Sequence, residues 1–252
     1  MGKIIAITNQ KGGVGKTTTA INLSSCLAAA EQKTCLIDMD PQANSTSGMG
    51  LEKDKLELSV YDVIIGAKSF REVIQPTQLQ YLNIVPSSIS LVGAEVELVT
   101  MMARETQLKT ALAQIVDDYE YIIIDCPPSL GLLTINTLTA ADSIIIPIQC
   151  EYYAMEGLGQ LMGTVKLVKE SLNPSLEIEG VLLTMFDSRL NLSRQVSDEI
   201  RKHFSSKVYD TVISRNVRLS EAPSFGKPII LYDVMSTGAE NYMSLTKEVL
   251  AQ

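Results

Sequence analysis

The sequence predicts an α/β fold, a mainly parallel twisted sheet with helices on both faces. Two observations carry this. Short apolar runs alternate with longer helical patterns along the 252 residues. Two of those runs, Ile122-Ile123-Ile124 and Ile144-Ile145-Ile146, are uninterrupted, as strands buried on both faces require. No repeat, low-complexity stretch or Pro/Gly/Ser-rich linker divides the chain, so residues 1–252 read as one domain.

The elements follow in order. Lys3–Thr8 reads as a strand, and Thr17–Ala30 as a helix with Ala20, Leu23, Leu27 and Ala30 on one face. Lys33–Asp38 and Leu82–Pro86 are further strands, and Glu105–Asp118 a helix carrying Leu108, Leu112 and Ile115. Strands at Tyr121–Asp125 and Ser143–Ile148 are each followed by a helix, Leu130–Ala141 and Met155–Leu172. Ile178–Met185 is a strand, Ser193–Phe204 a helix, Tyr209–Ile213 a short strand and Ala239–Leu250 a final helix. Ligands of such folds bind at the carboxyl ends of the strands.

Composition narrows the function classes. Hydrophobic residues make up 46% and charged residues 20%, which suits a globular core. No apolar run reaches the ~18 residues of a membrane helix, and the N-terminus carries no signal-peptide pattern. Ala6 stands where myristoylation needs Ser or Thr. A cytoplasmic protein is expected. Cys26, Cys35, Cys126 and Cys150 form no CxxC pair and His203 is the one histidine, so buried thiols are expected rather than zinc ligands. The net charge of -8 argues against a nucleic-acid binder. However, residues 1–180 carry 12 Lys/Arg against 21 Asp/Glu, whereas residues 181–252 carry 9 against 8. A local basic patch is therefore permitted in the C-terminal third.

Gln10-Lys11-Gly12-Gly13-Val14-Gly15-Lys16-Thr17-Thr18 joins the first strand to the first helix. Glycines let backbone N–H groups converge on phosphate oxygens, and the helix N-terminus adds positive charge there. Lys16 can reach the β- and γ-phosphates, Thr17 can offer its hydroxyl to Mg²⁺, and Thr18 suits the α-phosphate. The ordinary G-x-x-x-x-G-K-[ST] pattern needs Gly at position 10, where this chain has Gln10; K-G-G-x-G-K-T stands instead, with the additional Lys11. Asp38 and Asp40 lie at i and i+2, which on a continuing strand would place both carboxylates on one side. Asp125 ends the apolar Tyr121–Asp125 run, where it can hold Mg²⁺ through water.

At these residues the sequence resembles the deviant Walker A ATPases, P-loop NTPases that include ParA/Soj, MinD and the nitrogenase iron protein. Longer segments resemble the ParA/Soj branch: 38–44 (DMDPQAN), 125–131 (DCPPSLG), 147–151 (PIQCE) and 215–224 (RNVRLSEAPS). The resemblance implies ATP and Mg²⁺ as cofactors and an ATP-dependent homodimer with the nucleotides sandwiched between subunits. In that arrangement Lys11 reaches the phosphates of the opposite subunit. Lys11, Lys16 and Asp40 form the implied catalytic set, with Asp40 positioning the attacking water. Lys11, Gly12, Gly13, Val14, Gly15, Lys16, Thr17 and Thr18 hold the phosphates. Thr17, Asp38 and Asp125 serve Mg²⁺, Asp38 from outside its inner sphere. Gly131 is placed as a pivot sensing the γ-phosphate. Ser214 and Asn216 fall near the base; the family usually has Pro at the Ser214 position, so a backbone contact is expected there.

The resemblance further implies binding of nonspecific double-stranded DNA and a ParB-like centromere-binding partner that stimulates slow hydrolysis, in a cytoplasmic, nucleoid-associated protein. Arg189 and Arg218 are the first candidates for DNA contact, followed by Lys202, Arg215, Lys227 and Lys247. The chain leaves no room for an N-terminal helix-turn-helix domain. Other readings are a relative that positions a non-DNA cargo, a MinD-like ATPase with a C-terminal membrane helix, an iron–sulfur ATPase and a biosynthetic ligase. The segment 246–252 (TKEVLAQ) does not read as an amphipathic membrane helix, so no membrane partner is expected.

Overall fold

The computed structural model describes residues 2–151 and 154–252, without the side chains of residues 154–156. β1 (Lys3–Ile7) runs into the glycine loop and α1 (Lys16–Ala29). β2 (Thr34–Asp38) is followed by three short helices, α2 (Asn44–Gly48), α3 (Val60–Ile64) and α4 (Phe70–Val73). The two-residue β3 (Gln75–Pro76) and β4 (Leu82–Val85) lead to α5 (Leu91–Thr100) and α6 (Gln107–Leu112). Next come β5 (Tyr121–Asp125), α7 (Leu132–Ala140), β6 (Ser143–Gln149), α8 (Ala154–Ser171), β7 (Glu177–Thr184) and α9 (Asn191–Phe204). α10 (Val217–Glu221), α11 (Ile229–Tyr232) and α12 (Thr237–Leu250) follow.

The strands form one sheet in the order β3-β4-β2-β5-β1-β6-β7. Every pairing is parallel except β3 with β4. Side chains alternate across the pleat, so each central strand feeds two cores. Ile4, Ala6, Ile122, Ile124, Ile144 and Ile146 meet apolar residues of α3 to α9 on one face. Ile5, Ile7, Ile123 and Ile145 meet α1 and α10 to α12 on the other. This double demand is why the sequence runs Ile-Ile-Ile instead of alternating. It also places the end of β1 between β5 and β6, where the glycine loop emerges.

Two expected elements differ. Tyr209–Ile213 is not a strand; single bridges flank it, Val181 with Val208 and, beyond β7, Phe186 with Ser214, and only the Tyr209 and Ile213 N–H groups donate to β7, at 3.1 and 2.8 Å. The Asp210 and Thr211 N–H groups donate to the Glu248 carboxylate, at 2.9 and 2.8 Å, instead of to a ladder. The expected Glu105–Asp118 helix is shortened to α6 and a separate turn of 3-10 helix at Val116–Asp118. The Asn136 side chain of α7 accepts the Leu108 N–H at 3.2 Å, so a tertiary contact sets where α6 begins. Sequence periodicity passed over α5 altogether, because Val92, Val96 and Val99 face outward.

Candidate functional site: a phosphate loop beside two buried carboxylates

Gly13 and Gly15 adopt φ of 74° and 90°, the left-handed region that glycine enters without steric cost. This turns the loop into the N-terminus of α1. Neighbouring strand ends pin the loop. The Thr184 hydroxyl donates to the Val14 carbonyl at 2.8 Å. Asn9 donates to the Pro147 carbonyl at 2.8 Å and accepts the Lys11 N–H at 3.0 Å. Lys16 is buried, and its Nζ donates to the Lys11 carbonyl at 3.0 Å. Burial lowers its pKa, while Asp125, Cys126 and Asp40 act in the opposite direction. Lys11 points elsewhere, its Nζ 3.3 Å from Glu151 on the rim.

β2 and β5 end in register, with Asp38 beside Asp125. Both carboxyls are fully buried, and burial raises both pKa values; the charge of Asp38 adds to the rise at Asp125. Asp38 is fully engaged. Its Oδ2 accepts the Thr46 N–H and hydroxyl at 2.8 and 2.7 Å, and its Oδ1 accepts the Asp40 N–H at 3.2 Å. Thr46 Oγ1 in turn accepts the Ser87 N–H at 2.9 Å. Asp125 Oδ2 accepts the Ser45 hydroxyl at 2.8 Å, but Asp125 Oδ1 has no hydrogen-bond partner. A buried, unpartnered carboxylate oxygen is costly and fits a hard cation that keeps several waters, as Mg²⁺ does. Among the described residues no three His, Cys, Asp or Glu side chains converge to hold a metal. Such an ion would draw its other ligands from Thr17, water and phosphate.

The expected shared side for Asp38 and Asp40 is corrected. β2 stops at Asp38, and the chain turns through the Asp40 N–H bond to Asp38 Oδ1. The carboxyls therefore separate in role: Asp38 anchors α2, whereas Asp40 lines the cleft. The cleft, about 740 Å³, runs from Gly12, Gly13, Gly15, Lys16, Thr17 and Thr18 to Ser214, Asn216 and Tyr242.

Known proteins match most or all of the chain. A family model described as an AAA domain matches residues 2–178. The sporulation initiation inhibitor protein Soj of Bacillus subtilis is 60% identical over 251 residues, covering 100% of this chain and 99% of Soj. The chromosome partitioning protein ParA of Myxococcus xanthus is 56% identical, covering 99% of this chain and 88% of that protein. The chain belongs to the ParA/Soj family of partition ATPases.

It is an ATPase, as relatives named chromosome-partitioning ATPases are. A Mycobacterium smegmatis structure named as a cobyrinic acid a,c-diamide synthase with bound ATP analogue and magnesium superposes with TM-score 0.88 at 36% identity, covering 99% of this chain and 95% of that one. A plasmid partition protein of Borrelia burgdorferi superposes with TM-score 0.80 at 27% identity, covering 99% and 98%.

The ParA/Soj segment beyond β7 builds the far end of the cleft. The Ser214 N–H donates to Asn241 Oδ1 at 3.0 Å, and Asn216 Oδ1 caps α10 by accepting the Arg218 N–H at 2.8 Å. The Gly50 and Gly226 backbones cross so closely that a Cβ at Gly226 would lie 2.6 Å from Gly50 Cα. The segment carrying Asp40 is thereby fastened to the segment carrying Asn216. Gly131 precedes α7 beside the Glu95 carboxylate.

Arg189 and Arg218 lie on neighbouring segments, since the Arg215 N–H donates to the Phe186 carbonyl at 3.2 Å. Both are exposed and ion-paired. Arg189 grips Asp187 at 2.9 and 2.7 Å, and Arg218 meets Glu221 at 3.0 Å and Asp233 at 3.5 Å. Sequence reasoning missed Asn9, Ser45, Thr46 and Thr184. Their hydroxyls and amide act on groups distant in sequence, so no local pattern marks them.

Proposed function

We propose that this chain binds ATP with Mg²⁺, closes into a nucleotide-sandwich homodimer and drives chromosome or plasmid segregation by binding nonspecific DNA. The observation that carries the reading is the division between the two lysines. Lys16 is buried at the phosphate loop and lines the cleft. Lys11 stands on the rim with a one-third exposed side chain that does not line its own cleft. A cation so placed is available to a second copy, where in a dry interface it stabilises charge on the transferring phosphoryl group.

In this mechanism Lys16 and the loop N–H groups hold the phosphates. Asp40 holds the attacking water and orients it. Thr17 and Asp125 Oδ1 would hold a Mg²⁺, with Asp38 outside its inner sphere, and the ion would supply positive charge against the phosphates. Asp38 keeps α2, and with it Asp40, in place. Ser214 and Asn216 lie at the base end. A ParB-like partner stimulates hydrolysis and so releases DNA. Gly131, beside Glu95, is the sensing pivot. The site of action is cytoplasmic and nucleoid-associated. Identity of 60% to Soj favours this reading over the synthase activity named for the 36% identical structure.

DNA affinity in a protein of net charge -8 must come from a local patch that pairing of two copies doubles. Arg189 and Arg218 contribute once phosphates compete with Asp187 and Glu221 for them. Binding should therefore require ATP, show little sequence preference and fall steeply with salt, with a slope of about -0.9 per phosphate neutralised. Arg189→Glu and Arg218→Glu should each weaken DNA binding without affecting ATP binding or dimer size. Lys11→Ala should lose DNA binding together with the dimer. Anisotropy across a salt series, with sizing by light scattering, tests all three. Equal DNA binding with and without ATP would remove the switch.

A further inference from the structure

The serines of α1 and α2 use their hydroxyls in two ways. Ser24, Ser25 and Ser47 donate to the carbonyl four residues back, at 2.6, 2.7 and 3.2 Å, the local bond that a helical serine commonly makes. Ser45 does otherwise. It is fully buried and donates to Asp125 Oδ2, 80 positions away, at 2.8 Å. That bond decides which oxygen of Asp125 is left. The last torsion of an aspartate is broad and two-fold, so a carboxylate held at neither oxygen can present either one. With Oδ2 on Ser45, Oδ1 is the oxygen without a hydrogen-bond partner. Burial strengthens a hydrogen bond to a carboxylate and so fixes the orientation firmly.

Ser45 is one of a pair. Successive helical side chains diverge by about 100°, and Ser45 and Thr46 use that divergence to reach two strand ends in register. Ser45 takes Asp125 at the end of β5, and Thr46 takes Asp38 at the end of β2. Asn44, the residue before them, lines the cleft. α2 has other anchors besides the Ser45 bond. Thr46 holds it through both N–H and hydroxyl. Gly48 packs so closely on α1 that a Cβ there would lie 2.6 Å from Ile21 Cδ1. The helix therefore keeps its place without the Ser45 hydroxyl, whose acceptor is the one carboxylate of the pair with an open oxygen.

We propose that Ser45 is a positioning residue for the cation site: its hydroxyl fixes the Asp125 carboxylate so that Oδ1 is the oxygen presented to Mg²⁺. Partners one bond removed from a metal ligand commonly set metal affinity by about 10–100-fold. The inference rests on the ATP and Mg²⁺ reading above and adds to it the residue that orients one of the ligands. Its test reads cation-dependent nucleotide binding, not turnover or DNA.

The probe is N-methylanthraniloyl-ADP, whose fluorescence reports binding to the full chain without hydrolysis or an ATP-dependent dimer. It is titrated in EDTA and across a MgCl₂ series. The wild type should bind it more tightly as Mg²⁺ rises. Ser45→Ala should match the wild type in EDTA to within about twofold, while its half-saturating Mg²⁺ should rise roughly tenfold, the lower end of that range. Ser45→Cys fills the same space with a weak donor and should behave like Ser45→Ala. Ser45→Thr restores the hydroxyl and should return to within about threefold of the wild type. Ser47→Ala, which removes a hydroxyl bonded within its own helix, should change neither quantity. The circular dichroism melt of each variant confirms that the fold is kept. An unchanged Mg²⁺ requirement in Ser45→Ala and Ser45→Cys would overturn the proposal. So would equal weakening with and without Mg²⁺, the mark of a helix merely loosened, or a Ser45→Thr variant as defective as Ser45→Ala. A wild type whose ADP affinity ignores Mg²⁺ would instead strike the cation site itself, so the two failures are told apart.

Discussion

The two ends of the cleft are built by different means. The phosphate end is made by the sheet: β1, β2 and β5 end together, and Lys16 and Asp125 sit where burial is complete or nearly so, beneath a glycine loop whose Gly12 and Gly13 are exposed. The base end lies outside the sheet, on the short α10 and its approach, and side chains hold it from afar: Asn241 on Ser214, and Asn22 accepting the Ile229 N–H at 2.8 Å. Charge placed at the first end meets low dielectric and acts strongly. At the second end the Ser214 contact is only part-buried, and such a contact is worth about 1 kcal/mol. Chemistry is therefore concentrated at the sheet, and the outer segment provides a cover joined to it through the Gly50–Gly226 crossing.

That contrast can be broken from either side. The largest effect is expected from Lys16→Ala, which removes the buried cation. ATP affinity should fall by about 2–5 kcal/mol, the range for truncating a buried charge partner; calorimetry showing wild-type affinity would sink the phosphate-loop assignment. Asp40→Ala should retain ATP affinity and lose turnover by about 10²–10⁴, the span of a positioned acid–base group. It should also accumulate an ATP-bound dimer in light scattering, and a wild-type rate would show that Asp40 does not position the water.

Asp125→Asn sharpens the comparison through stability. The Asp125 pKa is raised by burial and by Asp38, so folding favours its protonated form. Stability from this group is full below the unfolded pKa and is lost as pH rises through the folded one. The nucleotide-free wild type should therefore melt higher at about pH 5 than at about pH 8, since Asp38 and Asp125 act in the same direction. The Asn variant should lose the part of that slope due to Asp125, buried Asp38 keeping the rest, and melt higher at neutral pH, by about 2–4 °C for each kcal/mol relieved. A thermal melt with the opposite order at neutral pH would show that the buried charge is satisfied in another way.

The smallest effects belong to the base end. Ser214→Ala leaves the backbone N–H in place and should alter ATP affinity less than about twofold, well under the ~1 kcal/mol of a full hydrogen bond. Asn241→Ala removes the acceptor for that N–H and should cost about 1 kcal/mol. A larger loss in Ser214→Ala than in Asn241→Ala would mean that the Ser214 side chain itself meets the base.

Much of this was legible from residue order alone. Ile runs dictated buried parallel strands, because only a strand covered twice needs apolar residues on both faces. The K-G-G-x-G-K-T loop announced its turn and its charge locally, since left-handed glycines and a helix N-terminus are properties of adjacent residues. Asp125 at the end of an apolar run was visible for the same reason. Tertiary structure decided the rest. The sequence does not show that Thr46, eight positions on, would bind Asp38 and end the equivalence of Asp38 and Asp40. Nor does it show that Asn136 would set the start of α6, that Glu248 would take the N–H groups of Asp210 and Thr211, or that the valines of α5 would face water. In each case the deciding partner is distant in sequence, and periodicity records only what neighbours three or four residues apart have in common.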